Sequence, residues 1–298
     1  MPSLVRADAT PAIRMATAPN DSAAEIYYAA DMGFFKRAGL NIELSTLTNG
    51  AAISQAVAGG AIDIGGTNTV GLATAISKGV PFTALAGGGI YRSNAPTTAL
   101  CVAKSSSYKT AKDLEGKVVS VPALHDMTYA GAYSWFEQNG ADVTKIRFIE
   151  IPFPEAAAAL ERGTVDAAMM AEPALSASQH AGARFFAPAL DGIAKTFMLT
   201  MWFASSDWAK KNPELFTKVQ AAIYDAGRWA NERKNQDRSG DILSTYTKMN
   251  RDTIRTITRS SYASSLDAKL IQPVLDAGLR FKFLDRAMSA SELGAKVS

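Results

Sequence analysis

The sequence predicts an α/β protein of two lobes, each built on a mostly parallel sheet. Three observations carry that reading. At 298 residues the chain exceeds the roughly 100–200 residues of one domain. Strand-like and helix-like runs alternate, as they do where helices cross between parallel strands. The alternation also occurs twice, with landmarks recurring at offsets of 101–103 positions.

Taken in order, the first unit opens with the strand-like run Ile13–Ala18, stopped by Pro19, and the second with Lys117–Val121, stopped by Pro122. A polar loop and a helix follow each stop. In the first, Ser22-x-x-Glu25 has the form of a capping box, with Ile26, Ala29, Ala30 and Gly33 at helical spacing. In the second, Asp126 or Thr128 can cap, with Ala132, Trp135 and Phe136 on one face. Both helices end in the same way, Phe35-x-x-x-Gly39-Leu40 against Phe136-x-x-x-Gly140-Ala141, with glycine at the left-handed C′ position.

A strand comes next in each unit, Ile42–Leu47 and Ile146–Ile151, then a helix of small residues, Ala51–Ala58 and Glu155–Arg162. Each closes into Gly-x-[Ile/Val]-Asp, at Gly60–Asp63 and Gly163–Asp166, and a short apolar strand runs on. Beyond the apolar run Thr196–Ser205 the grammar changes to helices at Pro213–Arg233, Asp241–Met249 and Leu266–Ala277. These need a sheet to pack on, so the chain is expected to return to the first lobe through a second crossover.

Composition narrows the function. Hydrophobic residues make up 47% and charged residues 20%, an ordinary globular balance. Mean hydropathy is −0.01, and no apolar run approaches the ~20 residues of a membrane-spanning helix. The net charge of +3 comes from 31 basic and 28 acidic residues, and even the basic stretch Arg228–Arg259 is interrupted by Glu232, Asp237, Asp241 and Asp252. A nucleic-acid footprint would be more one-sided. One cysteine, Cys101, and two histidines, His125 and His180, supply no zinc-ligand spacing, and Cys101 reads as a buried small hydrophobe. Neither a metal nor a cofactor is expected, and no Ser-His-Asp or Cys-His arrangement is legible. Ala7-Asp8-Ala9 has the small-x-small form of a signal-peptidase site, so residues 1–10 read as the end of a trimmed signal peptide or a tail.

Several segments resemble ABC-transporter solute-binding proteins of the nitrate/sulfonate/taurine type, a family that also includes binders of thiamine-pyrimidine precursors. Gly33-Phe34-Phe35-Lys36-Arg37-Ala38-Gly39-Leu40 is similar to the family's GFF-K-x-x-GL segment. Gly60–Gly65 resembles its G-x-x-D-[IV]-G strand, Lys112–Val119 its DLKGK-x-V entrance to the second lobe, and Gly163–Pro173 its G-x-VDA-x-x-x-x-EP segment. The resemblance implies the two-lobed type II periplasmic-binding-protein fold, with a central cleft and two crossover strands. It implies lobe one at 11–99 plus 203–298, lobe two at 100–202, and hinges at Thr98–Ala103 and Leu199–Ala204. It further implies a monomer in the periplasm that closes on a small organic solute, catalyses nothing, and delivers the solute to a membrane permease. The alternatives are a pyrimidine-precursor binder of thiamine salvage and an enzyme on the same scaffold.

Ligands of open α/β sheets bind beyond the carboxyl ends of the strands. That rule nominates Asn20, Asp21, Ser22 and Glu25, then Gly66, Thr67 and Asn68, then Tyr91 and Asn94 from the first lobe. From the second it nominates His125, Asp126, Thr128 and Glu172, with Trp202 near the returning crossover. Helix starts near Ser22, Thr67 and Thr128 would offer free N–H groups to a sulfonate or carboxylate. Each residue also has a plainer account: Ser22, Thr67 and Thr128 as caps, Asp21 and Asp126 as caps or loop charges, Tyr91 and Trp202 as core, and His125 with Asp126 as a hydrogen-bonded pair. The family places Ser or Thr on the ligand's acid group at the position of His125–Thr128, so His-Asp-Met-Thr there is a departure.

Overall fold

A computed structural model describes residues 12–124 and 126–295. The segment read as a signal remnant, residues 1–10, and His125 lie outside the described residues. In chain order the strands are β1 (Ile13–Thr17), β2 (Ile42–Thr46), β3 (Ile64–Asn68), β4 (Phe82–Gly87), β5 (Gly89–Arg92), β6 (Thr98–Val102) and β7 (Val118–Val121). They continue as β8 (Arg147–Glu150), β9 (Ala167–Ala171), β10 (Arg184–Ala187), β11 (Thr196–Met198), β12 (Thr200–Ser205) and β13 (Ser261–Tyr262).

Two five-stranded sheets share one plan. The first has the order β2-β1-β3-β12-β4 and the second β8-β7-β9-β6-β10. In the first, β1 runs parallel to β2 and β3, and β12 is antiparallel to both of its neighbours. In the second, β7 runs parallel to β8 and β9, and β6 is antiparallel to both of its neighbours. Each sheet is therefore parallel but for one reversed strand, and that strand is the one where the chain arrives from the other sheet. The segments expected as hinges, Thr98–Ala103 and Leu199–Ala204, are largely these reversed strands, hydrogen-bonded within a sheet. A small antiparallel sheet, β11-β5-β13, lies where the chain passes between the two.

The repeated aspartate has the same structural task in both units. The Asp63 carboxylate accepts from the Arg14 backbone N–H at 2.8 Å, and the Asp166 carboxylate from the Val118 N–H at 2.9 Å. In return the Asp63 N–H donates to Arg14 O at 2.9 Å and the Asp166 N–H to Val118 O at 2.8 Å. Each aspartate thus clamps the start of its unit's third strand to the first, β3 to β1 and β9 to β7. The matched glycines of the motif, Gly60 and Gly163, have φ of +72° and +70°, which side chains with a Cβ rarely adopt.

Alternation along the strands divides the core into layers. On β12, Trp202 and Ala204 face the layer holding Ile26, Tyr28, Val219 and Ile223, while Met201 and Phe203 face Ile53, Leu72, Ile271 and Leu275. On β6, Leu100 and Val102 face Phe136 and Leu190, while Ala99 and Cys101 face Ala156 and Leu160. The helix Pro213–Asn231 covers the first sheet beside the helix Glu25–Asp31. A fully buried side chain of this size contributes about 1.5–3 kcal/mol. Among the described residues no helix is long and apolar enough to cross a membrane.

The capping box expected at Ser22-x-x-Glu25 does not form. Asp21–Ala23 is a short 3-10 turn, the helix begins at Glu25, and the Ser22 hydroxyl donates to Asn20 Oδ1 at 3.0 Å. Glu25 is turned inward instead, because the apolar positions that define this helix bury its first turn. At the matching place in the second unit Asp126 does cap, accepting from Thr128 N–H at 2.9 Å and Tyr129 N–H at 3.0 Å.

Candidate functional site

A cavity of about 630 Å³ lies between the two five-stranded sheets. Its position follows from the topology. The loops leaving the carboxyl ends of β1, β2 and β3 line it with Thr17–Ser22, Thr46–Gly50 and Gly66–Asn68. Those leaving β7, β8 and β9 line it with Pro122, Pro152–Glu155 and Ala171–Glu172. The reversed strands begin where the others end, so Thr97, Thr98, Leu199 and Thr200 complete the wall, together with Leu190 and Ser260.

Four helices aim their N-termini at this space: Gly50–Ala58, Thr69–Ser77, Met127–Gln138 and Phe153–Glu161. Three of them are capped by side chains: Asn49 Oδ1 accepts from Ala52 N–H at 3.0 Å, Asn68 Oδ1 from Gly71 N–H at 2.7 Å, and Asp126 caps the third, whereas Phe153–Glu161 follows Pro152. Each helix end carries about half a positive charge. Among the described residues the lining includes four acids, Asp21, Asp126, Glu155 and Glu172, and no lysine or arginine.

The acids are not equivalent. Asp21 is buried and committed: its carboxylate accepts from Arg259 Nε at 3.0 Å, Tyr262 Oη at 3.2 Å, Tyr28 Oη at 3.3 Å and the Ser260 N–H. Glu172 is buried and accepts from Ser176 Oγ at 2.7 Å, Ser176 N–H at 3.0 Å and Thr258 N–H at 3.2 Å. Desolvation nonetheless pushes its pKa up. Asp126 is half-buried, and desolvation pushes it up to about 6 against the pull of its two capping N–H groups. Glu155 is exposed at the rim.

Of the residues nominated from the sequence, the cavity brings together Asn20, Asp21, Ser22, Gly66, Thr67, Asn68, Asp126, Thr128 and Glu172. It does not include four others, Glu25, Trp202, Tyr91 and Asn94. Trp202 is fully buried in the core, its ring over Gly66, because alternation on β12 turns it away from the opening. Tyr91 is fully buried against Phe197, with ring centroids 4.9 Å apart, and its hydroxyl donates to Asp191 at 2.9 Å. Asn94 is exposed on the turn after β5. His125 lies outside the described residues.

Sequence reasoning missed Thr46–Gly50 and Pro152–Glu155. The repeat held the signal, since both follow the second strand of a unit and the rule on strand ends applies there equally. Thr17 lay inside the first strand-like run, and Thr97 one residue before an expected hinge. Ser260 had no local signal, because long-range bonds to Asp21 bring it in.

Behind the wall, Glu25 is buried with both carboxylate oxygens unbonded among the described residues. Desolvation pushes its pKa up to about 8. The Trp202 indole opposes that rise in part, although its N–H has no hydrogen-bond partner among the described residues.

A family model described as NMT1/THI5 like matches residues 20–236, well over half of the chain. The chain belongs to the NMT1/THI5-like family. Within reach of this family is the taurine-binding periplasmic protein of Escherichia coli (strain K12), 26% identical over 197 residues. That match covers 66% of this chain and 60% of the relative, so the chain spans less than two thirds of that protein's length. Among solved structures, the periplasmic aliphatic sulphonate binding protein SsuA from Escherichia coli superposes with a TM-score of 0.77 at 19% identity, covering 95% of this chain and 92% of that one. The desulfurization enzyme DSZB does so with a TM-score of 0.71 at 17% identity, covering 95% and 96%. Such likeness shows the fold, the two-lobed α/β arrangement of periplasmic binding proteins, and proteins that share a fold can differ in what they do with it.

Proposed function

We propose that this chain is the solute-binding component of an ABC importer, acting in the periplasm. It captures a small organic solute bearing a sulfonate or carboxylate and hands it to a membrane permease. Lobe one comprises residues 11–99 and 203–298, lobe two residues 100–202, and closure between them traps the solute through its greater affinity for the closed form.

The observation that carries this reading is the cavity between the sheets, where helix N-termini from both units converge and six strand-end loops supply the lining. Its volume of about 630 Å³ suits a small molecule. Converging N–H groups and hydroxyls suit an acceptor-rich group such as an acid. The taurine-binding relative supports the same class of solute. Asp126, in the lining, favours a singly charged acid over a dianion. The desulfurization enzyme of similar fold supports an enzyme as second reading.

One experiment separates the two. Ligand-stripped protein is screened by thermal shift against taurine, alkanesulfonates, nitrate, aromatic carboxylates and aminopyrimidines. A solute at about 1,000 times its Kd stabilises the fold by about 4 kcal/mol, a clear rise in Tm. Unchanged solute recovered by mass spectrometry supports a binding protein, a chemically altered one supports the enzyme, and silence toward every sulfonate and carboxylate defeats the solute class proposed here.

A further inference from the structure

Of the ten serines and threonines that line the cavity, six fall into two contrasting groups. The hydroxyls of Ser22, Thr128 and Thr200 are spent inside the protein: Ser22 on Asn20, Thr128 on Asp126 at 3.2 Å, and Thr200 on Ser22 O at 2.6 Å while it also accepts from Gly89 N–H. Those of Thr17, Thr97 and Ser260 are not. Each of these residues is almost fully buried, at 1%, 4% and 6% exposure, and its hydroxyl has no hydrogen-bond partner among the described residues.

Their backbones are fixed all the same. Thr17 O accepts from Leu47 N–H at 3.1 Å, Thr97 O accepts from Glu172 N–H at 2.8 Å, and the Ser260 N–H is held by Asp21. Three residues with fixed backbones and desolvated hydroxyls therefore line one cavity from three separate segments. A buried hydroxyl left unsatisfied carries a desolvation penalty that no hydrogen bond offsets. Such groups persist where another molecule completes them.

We infer that Thr17, Thr97 and Ser260 are the specificity-determining contacts of the solute, donating to the oxygens of its acid group. This inference rests on the solute-binding reading and adds to it which residues select the head group. It assigns that task to residues on the β1 end, the start of β6 and the loop before β13. Ser22 and Thr128, the hydroxyls nearest to hand in the sequence, serve the fold. With hydroxyl donors and no lysine or arginine among the described lining, the site suits a weakly basic monoanion.

The test uses the isosteric variants Thr17→Val and Thr97→Val, together with Ser260→Ala, in the full chain. Two quantities are read for each, the melting temperature of the ligand-free protein and the Kd for ethanesulfonate by calorimetry. The expected result is an unchanged or higher melting temperature with a Kd weakened about tenfold or more, equivalent to about 1.4 kcal/mol. A fall of several degrees in the ligand-free protein would make the hydroxyls structural and overturn the inference, as would an unchanged Kd. If the wild-type protein itself ignores ethanesulfonate, the proposed solute class fails separately. The melting temperatures then decide alone: no loss in any variant supports hydroxyls reserved for a solute, and a loss overturns it.

Discussion

Asp21 and Arg259, 238 residues apart in the chain, form an ion pair of 3.0 Å whose carboxylate is almost wholly withdrawn from solvent. Arg259 also donates to Tyr28 Oη at 2.6 Å, and Tyr262 Oη donates to the Asp21 carbonyl at 2.6 Å. The pair therefore ties the loop after β1 to the segment before β13, and with it Ser260 to the cavity wall.

Replacing Arg259 with leucine leaves Asp21 buried and without its charge partner. Removing one member of such a pair typically costs about 3–5 kcal/mol, because the remaining charge has lost its compensation. Urea denaturation of Arg259→Leu is expected to show a loss of that order, and a loss under about 1 kcal/mol would show that water reaches Asp21 readily.

Glu25 gives the stability a pH dependence of definite sign. Its carboxyl is held up to about 8 in the fold, against 4.5 ordinarily. Between those values the unfolded chain has released the proton while the folded chain keeps it. The contribution of Glu25 is therefore complete below pH 4.5 and is lost as pH rises through about 8, at a slope of up to about 1.4 kcal/mol per pH unit. Glu25→Gln abolishes that slope, so variant and wild type should converge in acid and diverge in mild alkali, the variant being the more stable. Parallel stability curves across this range would place an unseen proton donor or cation beside Glu25.

Cys101 should behave as an inert thiol. It is fully buried in β6, and desolvation, aided by the charge of Glu172, pushes its pKa up to about 12. A disulfide reagent near neutral pH should modify the native protein only as fast as the strand opens, and the denatured protein at once. Rapid labelling of the native chain would mean that β6 exchanges into solvent on its own.

Much of this architecture was legible because it is written locally and twice. Asp63 and Asp166 sit in the same short motif and make the same backbone clamp. The strand-end rule then located the cavity from both halves. What could not be read was side-chain direction. Trp202 and Met201 are neighbours of similar character, and only the pleat of β12 decides which layer each enters. Tyr91 is withdrawn by Asp191, a partner 100 positions away, and Ser260 is delivered by Asp21, 239 positions away. Glu25 matched a capping pattern, but helix position alone could not show that its first turn is buried.

Gly66 tests how closely the core and the cavity share a wall. A Cβ built on it would lie 2.7 Å from the Trp202 ring, inside the contact distance. Gly66→Ala must displace a fully buried indole, so an overpacking loss of about 1–3 kcal/mol is expected. Because Gly66 also lines the cavity, the same variant should weaken solute binding. Wild-type stability and affinity together would mean that the indole has room to move.

Asp126 separates charge from capping within a single side chain. Its carboxyl is pushed up to about 6 by desolvation, while its oxygens cap the helix Met127–Gln138. Asparagine caps nearly as well, so Asp126→Asn should leave that helix in place and remove only the negative charge. A sulfonate stays anionic throughout, so it meets an ionised Asp126 above about pH 6 and a neutral one below. The variant should therefore bind ethanesulfonate more tightly than wild type in mild alkali, and the two should converge as pH falls through 6. Calorimetric titrations on either side of that value measure the ratio directly. A ratio that is constant with pH would show that the charge of Asp126, as distinct from its capping oxygens, is not felt in the cavity.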